Sequence, residues 1–315
     1  MAMAMAMAMA MAMAMAMAMA MAMAMAMAMA MAMAMAMAMA TEMPDLEVTA
    51  VVPAYGPCAG LVARCLDTMA ESCGGDPPRT IVVDDGSPEG QADATREAAE
   101  SRGAVFARLE RNRGFAAAAN AGIALAGGDD VVLVNDDVEF RTPGWLGAFR
   151  AAAEASPGFG ALGALLGYPN GTVQHAGVYF AYLSPGPSPF HRYHHAPLGL
   201  AAARESHQCP VTGALMYLRR DAMGLVSQGP GPFDEGYPLA FEDVDLTLRL
   251  AEAGAPALYV PEAEAVHLEG WTRGGGAHTP PPSAEHGAKA SEGWRRLAER
   301  WSGHPLVREY CFRRR

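Results

Sequence analysis

The chain has 315 residues, 18% of them charged, and a formal net charge of −11 at pH 7. A nucleic-acid groove needs a basic face, so this acidic balance argues against a nucleic-acid partner. The five cysteines have no CxxC spacing, which argues against a zinc site and a disulfide framework and makes a reducing cytoplasm the expected location.

Residues 1–40 are a strict alternation of Met and Ala, with no charged, aromatic or Gly residue. They lack the basic start and the cleavage site of a signal peptide. We expect a disordered or artefactual low-complexity extension that carries no chemistry, with a membrane-associated helix as the alternative. The rest of the chain has no apolar run long enough to span a bilayer, which argues against a membrane-embedded polysaccharide synthase.

Strands and helices alternate from Glu47 onward. Continuous runs of β-branched residues separated by helices indicate a parallel sheet that is covered on both faces. We therefore expect a doubly wound, Rossmann-like α/β domain that begins near residue 45 and continues to about residue 150. The pattern predicts strands at residues 48–53, 80–84, 104–109 and 130–134, and helices at residues 61–71, 89–102, 114–126 and 145–155.

The pattern changes beyond residue 143. Residues 274–283 contain clustered Gly and Pro and are predicted to be a linker or a mobile loop. After them, Trp294, Leu297 and Trp301 mark one face of a C-terminal helix. Between these points the pattern predicts short strands within 159–182, a loop rich in Pro and His at 184–207, a strand at 211–219, an amphipathic helix at 241–253 and a last strand at 257–261.

Acidic and polar side chains follow three of the predicted strands. Tyr55 follows the first strand, Asp84 and Asp85 close the second, and an Asn-Asp-Asp run at 135–137 follows the fourth. Ligands of open parallel sheets bind at the carboxyl ends of the strands. Carboxylates there suit Mg²⁺ or Mn²⁺, which would bridge the acidic site to the diphosphate of a sugar nucleotide and act as a Lewis acid. A single Asp is as readily a turn or helix-cap residue, but the recurrence at successive strand ends favours the metal site.

The second half of the chain offers two further candidate groups. Glu242 and Asp243 begin the predicted helix at 241–253, where they are either helix caps or supply a general base for an acceptor hydroxyl. His267 could complete the shell of a metal and Arg273 could hold a phosphate through two hydrogen bonds; the alternative is a surface His beside a solvated Arg. Three other histidines have no ligand spacing and are interpreted as structural or acceptor-facing: His191, His194 and His195.

Two motifs of nucleotide-binding proteins are missing from the sequence. No GxGxxG follows the first strand, which argues against a dinucleotide dehydrogenase, and no GxxxxGK[ST] is present, which argues against a P-loop enzyme. A sugar-phosphate nucleotidyltransferase remains an alternative, although residues 54–58 lack the basic group that usually follows its first strand. A catalytically inactive module that binds a nucleotide or a carbohydrate is the other alternative.

A series of short motifs in a fixed order resembles the family 2 glycosyltransferases, which have the GT-A fold. The resemblance is strongest to the rhamnosyltransferase-like branch that builds bacterial surface polysaccharides, and it extends from about residue 48 to residue 273. The motifs are VVPAY at 51–55, VVDDGS at 82–87, NRGFA at 112–116, LVNDDVE at 133–139, QHAG at 174–177, VTGA at 211–214, FDE at 233–235, EDVD at 242–245 and His267.

The resemblance implies a nucleotide-sugar site at the strand ends. Asp85 would accept a hydrogen bond from the nucleobase, and Arg273 would contact a phosphate. Asn135 stands where the family has the first Asp of its Asp-x-Asp motif, so it is expected to contact the ribose rather than a metal. The residues implied for this site are Pro53, Tyr55, Asp84, Asp85, Asn112, Gly114, Asn120, Asn135, Asp136 and Arg273.

The resemblance also implies the chemistry. Asp137 and His267 would hold a Mn²⁺ or Mg²⁺ ion, and Asp243, with Glu242 beside it, would be the catalytic base. The expected reaction is an inverting transfer from a nucleoside-diphosphate sugar to a glycan or lipid-linked acceptor, in the synthesis of a cell-surface polysaccharide or glycoconjugate. No covalent sugar–enzyme intermediate is required.

The implied domain organisation follows the motifs. A GT-A domain is expected at residues 45–273, with a nucleotide-binding half at 45–140 and an acceptor and catalytic half at 141–273, and a linker and C-terminal helix at 274–315. The expected location is cytoplasmic. Arginines near Trp294 and Trp301 suggest peripheral contact with the inner face of the membrane, and a solvated charged tail is the alternative.

Overall fold

Within the described residues, ten strands from both halves of the chain form one sheet. Their order is β10 (His207–Gln208), β12 (Ala257–His267), β6 (Ala161–Gly167), β11 (Leu215–Leu218), β4 (Asp130–Val134), β1 (Val48–Ala54), β2 (Arg79–Asp84) and β3 (Val105–Arg108), with β5 (Val138–Glu139) beside β12 and β7 (Val173–His175) beside β6. The computed structural model describes residues 47–183, 186–227, 229–269 and 284–311. The Met-Ala tract, Arg273, the predicted linker and the closing arginines lie outside these residues.

The first half of the sheet is parallel, as the apolar runs predict. Strands β1 and β4 are buried at every position, because helices cover both faces of the sheet. Strands β1, β2, β3 and β4 all run in the same direction. The elements are β1 (Val48–Ala54), α1 (Ala59–Ser72), β2 (Arg79–Asp84), α2 (Glu89–Glu100), β3 (Val105–Arg108), α3 (Phe115–Leu125), β4 (Asp130–Val134) and α4 (Trp145–Ala155).

The second half adds strands of both directions. Strand β11 lies antiparallel between β4 and β6, and β12 runs parallel to β6. The elements are β5 (Val138–Glu139), β6 (Ala161–Gly167), β7 (Val173–His175), β8 (Val178–Leu183), β9 (Gly186–His191), β10 (His207–Gln208), β11 (Leu215–Leu218), α5 (Arg220–Val226), α6 (Glu242–Glu252), β12 (Ala257–His267), α7 (Ala284–Trp301) and α8 (Pro305–Glu309).

Two predicted strand ends at proline are wrong. Pro53 lies within β1 and is paired with Val83, beyond the point at which the pairing of β1 with β4 ends. Strand β12 continues through Pro261 to His267, because a register shift between Val260 and Glu264 accommodates the proline. Neither proline therefore ends its strand.

The predicted loop at 184–207 also contains regular structure. Strand β9 pairs with β8 as a separate two-stranded sheet, and a short 3₁₀-helix (Ala201–Arg204) and β10 follow. Strand β9 includes Pro187 and Pro189, which an edge strand tolerates since one side of it needs no ladder hydrogen bonds. The predicted strand at 211–219 is shorter than expected and begins at Leu215.

Two glycines of the motifs allow close approach of the backbone. Gly86 has φ +68°, and a Cβ atom there would lie 2.3 Å from the backbone carbon of Arg111. On α3, a Cβ atom at Gly122 would lie 2.2 Å from Cγ1 of Val51. Any side chain at either position would push α3, or the loop before it, away from the strand ends.

The C-terminal helix α7 packs against the rest of the chain. Leu297 and Trp301 are buried in a cluster with Phe180, Val244 and Leu248, as the predicted apolar face requires. Trp294 is half-buried, and its indole nitrogen donates a hydrogen bond to Oγ of Ser188 over 3.2 Å.

Arginines of α7 form ion pairs with carboxylates of the chain itself. Arg296 lies 2.8 Å from Asp234, and Arg300 lies 3.5 Å from Asp245. Arg295 pairs with Glu292 and Glu299 along the helix. In the described residues no helix is long and apolar enough to cross a membrane.

Candidate active site

The carboxyl ends of β1, β2 and β4 meet at one edge of the sheet. The backbone nitrogen of Asp85 donates to the carbonyl oxygen of Ala54 over 2.8 Å, which joins the ends of β1 and β2. Tyr55 is exposed at this edge, with 47% of its surface accessible, and Pro53 is buried just before it. The structure therefore brings the three predicted polar clusters to the same edge.

Asp84 and Asp85 both bind backbone groups. Each carboxylate oxygen of Asp85 accepts a hydrogen bond of 2.8 Å, one from the backbone nitrogen of Arg113 and one from that of Gly114. Burial raises the pKa of Asp85. Asp84 is fully buried; it accepts from the backbone nitrogen of Ser87 over 3.0 Å and lies 3.3 Å from Nε of Arg108. The pair thus fixes the loop before α3 against the end of β2.

The other residues predicted to form the nucleotide wall lie beside this loop. Asn112 is exposed, and Gly114 precedes α3 with φ +92°. Asn120 is buried on α3, where its side chain donates to the carbonyl oxygen of Phe233 over 2.9 Å and accepts from the nitrogen of Phe233 over 3.0 Å. Asn120 therefore holds the 231–235 segment against α3. Nucleotide contact by these residues stays a prediction, and Arg273 lies outside the described part of the chain.

Asp137 and His267 meet, although 130 residues separate them in the sequence. Strand β5 pairs antiparallel with the end of β12, and Val138 lies opposite His267. This register places Oδ1 of Asp137 at 2.9 Å from Nε2 of His267. The side-chain nitrogen of Asn135 lies 3.4 Å from the same Nε2 atom. Asp136 instead faces the Cys58 thiol, and burial together with the charge of Asp137 raises the pKa of Asp136 to about 7.

Gln174 determines which ring nitrogen of His267 carries the proton. The side-chain nitrogen of Gln174 donates to Oε2 of Glu269 over 3.1 Å and to the carbonyl oxygen of His267 over 3.4 Å. The amide oxygen of Gln174 must then face Nδ1 of His267, at 2.7 Å, and it accepts the Nδ1 proton. In the neutral imidazole this leaves the lone pair of Nε2 directed toward Asp137, as a metal-binding imidazole requires.

These groups fit a divalent cation. Two lone-pair atoms 2.9 Å apart repel each other without a proton or a cation between them, and ligands on adjacent corners of a Mg²⁺ octahedron are about 3 Å apart. Oδ1 of Asn135 is buried beside them with no hydrogen-bond partner in the described part of the chain. No group of three or more His, Cys, Asp or Glu side chains suited to a metal is present among the described residues, so a diphosphate and water would supply the remaining ligands.

Replacing Gln174 with Leu is expected to weaken metal-dependent nucleotide binding by about 10- to 100-fold, because His267 loses the acceptor that fixes its tautomer. The measurement is calorimetric titration with a nucleoside diphosphate in the presence of Mn²⁺. Gln208→Leu is the matched control, since Gln208 is exposed on β10. Equal affinities for the two variants would contradict the role of Gln174.

Asp243 is held at the beginning of α6. Its Oδ2 atom accepts from the backbone nitrogen of Gly213 over 2.8 Å and from the Thr212 hydroxyl over 3.1 Å, and its Oδ1 atom accepts from the nitrogen of Val244 over 2.7 Å. Gly213 precedes β11, which is the neighbour of β4 in the sheet. The candidate base is therefore hydrogen-bonded to the segment that leads into β11, and β11 lies beside β4, which ends shortly before the candidate metal ligand Asp137.

One cavity of about 360 Å³ is lined by both the candidate base and His267, one of the two candidate metal ligands. It is lined by Asn135, Glu242, Asp243 and His267, four of the residues proposed from the sequence. The lining does not include Pro53, Asp85, Asn112 or Gly114, which lie nearer the ends of β1 and β2. Sequence reasoning missed other residues of the lining, namely Gln174, Thr212, Gly213 and Glu269, although the QHAG and VTGA motifs contain three of them.

Glu242 is a buried carboxyl group beside Asp243. Only 8% of Glu242 is exposed, and its Oε2 atom has no hydrogen-bond partner in the described part of the chain. Burial, followed by the charge of Asp243, raises the pKa of Glu242 to about 8. The raised pKa favours the protonated form of Glu242, which can donate a hydrogen bond.

Replacing Glu242 with Gln is expected to stabilise the protein at about pH 8 and to have less effect at about pH 5. Because the folded-state pKa of Glu242 is raised, its contribution to stability is complete below its unfolded value and is lost as the pH rises toward 8. The difference in the free energy of unfolding should grow by about 1.4 kcal/mol per pH unit. Urea denaturation at both pH values measures it, with the exposed Glu262→Gln as the control; a difference independent of pH would refute it.

The histidines of the β9 region have structural contacts. Nδ1 of His191 lies 2.7 Å from Nδ1 of His175, and His191 also lines the cavity. Nε2 of His194 lies 2.9 Å from the Tyr168 hydroxyl, and the ring of His195 stacks on the Tyr168 ring. Of the three histidines in the predicted loop, His191 is the one placed beside the candidate base.

The sequence is similar to one protein-family profile and to several bacterial proteins. The profile of Glycosyl transferase family 2 matches residues 49–220. The chain is 31% identical over 257 residues to N-acetylglucosaminyl-diphospho-decaprenol L-rhamnosyltransferase of Mycobacterium tuberculosis, which covers 73% of this chain and 78% of that protein. It is 32% identical over 151 residues to the O-antigen biosynthesis protein RfbC of Myxococcus xanthus, and 35% identical over 208 residues to an uncharacterized protein, y4gI, of Sinorhizobium fredii.

Coverage differs among these relatives. The alignments cover 47% of this chain for RfbC and 62% for the Sinorhizobium protein, and the chain spans only 12% and 21% of their lengths.

Among solved structures, the mannosyltransferase PcManGT from Pyrobaculum calidifontis, in complex with GDP-Man and Mn²⁺, has a TM-score of 0.51 and 19% identity. That match covers 86% of this chain and 78% of the mannosyltransferase, and at this identity it shows a common fold.

Proposed function

Because the chain belongs to glycosyl transferase family 2, we propose that it moves a sugar, of hexosyl or rhamnosyl type, from a nucleoside-diphosphate sugar to an acceptor hydroxyl, with inversion at the anomeric carbon. The GT-A fold predicted from the sequence is confirmed by the mixed, mostly parallel sheet and by the similarity to the mannosyltransferase. The observation that carries the proposal is that Asp243 and His267 line the same cavity.

Asp243 is the proposed general base. Its carboxylate faces the cavity and is oriented by Thr212 and Gly213, both of which are neutral donors. The acceptor hydroxyl loses its proton to Asp243 as its oxygen attacks the anomeric carbon, and the bond from that carbon to the diphosphate oxygen breaks on the opposite face. The sugar is therefore transferred in one displacement, without a covalent bond to the protein.

Asp137 and His267 are the proposed ligands of a Mn²⁺ or Mg²⁺ ion, and Gln174 orients His267. Such an ion, when bound, supplies Lewis-acid stabilisation of the charge on the leaving diphosphate. The complex of the similar mannosyltransferase with GDP-Man and Mn²⁺ supports this cofactor and this class of donor. The residues at the ends of β1 and β2, together with Arg273, are proposed to hold the nucleotide.

The proposed biological role is the synthesis of a cell-surface polysaccharide or glycoconjugate. Two relatives support it by name, the rhamnosyltransferase of Mycobacterium tuberculosis and the O-antigen biosynthesis protein RfbC. The first of them is named for a lipid-linked N-acetylglucosaminyl acceptor, and a glycan or lipid-linked acceptor is proposed here.

Calorimetric titration of the protein with UDP, dTDP and GDP, with and without Mn²⁺, tests the donor site. We expect one nucleotide to bind in a metal-dependent manner, and Asp137→Ala to weaken that binding at least tenfold because a ligand is removed. The exposed Asp221→Ala is the matched control. A folded protein that binds none of the nucleotides would refute the donor site, and nucleotide binding without any transfer would favour an inactive binding module.

A further inference from the structure

Several residues that line the cavity have no role in the proposed general base or the proposed metal site. Beyond Asp243 and His267, its polar lining includes the carboxyl groups of Glu242 and Glu269, and its apolar lining includes Val178, Pro189 and Phe190 of the β8–β9 hairpin. Among the described residues that line it there is no Lys or Arg. The described lining thus combines acidic groups with an apolar wall.

Glu242 supplies an unsatisfied polar atom in this cavity. More than nine-tenths of the residue is buried, yet its Oε2 atom has no hydrogen-bond partner in the described residues. A buried polar atom without a partner is costly, so such atoms normally meet a bound molecule or an ordered water. A ligand hydroxyl would satisfy this atom whether Glu242 accepts the hydrogen bond or, as the raised pKa favours, donates it.

Glu269 places a second carboxyl group in the lining of the same cavity. It accepts a hydrogen bond of 2.6 Å from the Tyr168 hydroxyl and one of 3.1 Å from the Gln174 amide, so its position is fixed. Together with Asp243 and Glu242 it gives the cavity three carboxyl groups.

Phe190 offers a flat apolar surface beside the acidic groups. Its exposed fraction is 39%, and its ring stacks on that of Tyr179 with the centroids 5.7 Å apart. The hydrogen bond from Trp294 to Ser188 fixes the hairpin against α7. A rigid aromatic ring next to hydroxyl-binding groups matches a pyranose, which has an apolar C–H face and a polar rim.

We propose that Phe190, Glu242 and Glu269 form an acceptor subsite for a neutral glycosyl ring, which stacks on Phe190 while its hydroxyl groups bind the two glutamates. The subsite rests on the proposed transferase function, since it delivers an acceptor hydroxyl to Asp243. An acceptor without a ring, such as 3-phosphoglycerate, offers no face that could stack on Phe190.

Saturation-transfer NMR tests the subsite on the full chain, with Mn²⁺ replaced by diamagnetic Mg²⁺ and with a bound nucleoside diphosphate. The probes are the methyl glycosides of glucose, galactose, rhamnose and N-acetylglucosamine, and 3-phosphoglycerate. At least one glycoside is expected to receive saturation at its ring protons, and 3-phosphoglycerate none. Phe190→Ala should abolish the glycoside signal and Phe190→Tyr should retain it. Tyr182→Ala is the matched control, because Tyr182 is 51% exposed on the same hairpin and does not line the cavity.

The outcomes separate this proposal from the proposed function. A glycoside signal that persists in Phe190→Ala, saturation of 3-phosphoglycerate alone, or no glycoside signal from a protein that binds the nucleotide would each overturn the subsite and leave the donor site intact. Failure of the nucleotide titration would instead remove the function on which the subsite rests.

Discussion

Replacing Asp243 with Asn is expected to lower the kcat of sugar transfer by about 10²- to 10⁴-fold, the usual contribution of a general base. The amide has nearly the shape of the carboxylate, and its oxygen can still accept the hydrogen bonds from Gly213 and Thr212. It cannot take a proton from an acceptor hydroxyl at neutral pH. Steady-state kinetics with the nucleotide sugar that the titration identifies give the measurement, and the affinity for the nucleoside diphosphate should stay within a factor of about three of the wild-type value.

The control for this variant is Glu252→Gln, at the exposed end of the same helix. It removes a carboxylate from α6 without touching the cavity, so its kcat should be that of the wild type. A kcat for Asp243→Asn within tenfold of wild type would show that another group takes the proton. A parallel loss of nucleotide affinity would show instead that Asp243 supports the donor site.

Replacing Asp245 with Ala is expected to lower the free energy of unfolding by about 3–5 kcal/mol, because it leaves a buried guanidinium without its counter-charge. Asp245 is completely buried, two residues beyond the candidate base on α6. Its carboxylate accepts from Nε of Arg249 over 2.7 Å and from the indole nitrogen of Trp301 over 2.9 Å. Arg249 also donates to the carbonyl oxygens of Val226 and Pro232, which keeps it in the interior once the carboxylate is gone.

Urea denaturation followed by tryptophan fluorescence measures this effect, because Trp301 loses its hydrogen-bond partner in the variant. Asp221→Ala is the control, since its side chain is 73% exposed and pairs with Arg219 at the surface. The control should change stability by less than about 0.5 kcal/mol. A loss below about 1 kcal/mol for Asp245→Ala would mean that the buried pair is dispensable.

The first half of the fold could be predicted because its signals are local. Apolar runs of β-branched residues gave strands β1, β2 and β4, and parallel pairing then required Tyr55, Asp85 and Asp137 to lie at one edge. The contact between Asp137 and His267 could not be predicted in this way. The register of β5 against β12 joins residues far apart in the chain, and no local pattern encodes it. The resemblance to a family implied the pair, and the structure brings its atoms together.

The second half was harder to predict because proline was taken as the end of a strand. Strand β12 passes Pro261 by a change of register, and β9 keeps two prolines at an edge. The cavity lining was missed for a related reason. Gln174 lies in the middle of the three-residue strand β7, and Glu269 lies beyond the end of β12, so neither belongs to a run long enough to show periodicity. Their importance depends on tertiary contacts, of Gln174 with His267 and of Glu269 with Gln174.

The hydrogen bond between Trp301 and Asp245 bears on how this protein can be shortened. The family match stops at residue 220, before both Asp243 and His267, and the family motifs end near residue 273. A truncation that keeps only the recognised region would delete the indole that caps Asp245 and would uncover Phe180 and Leu248 to water. Helix α6, which carries the candidate base, would then lose its outer support. We therefore expect the shortest chain that folds alone to extend beyond Val307, which is buried in the same cluster, and so past residue 273, where the family motifs end.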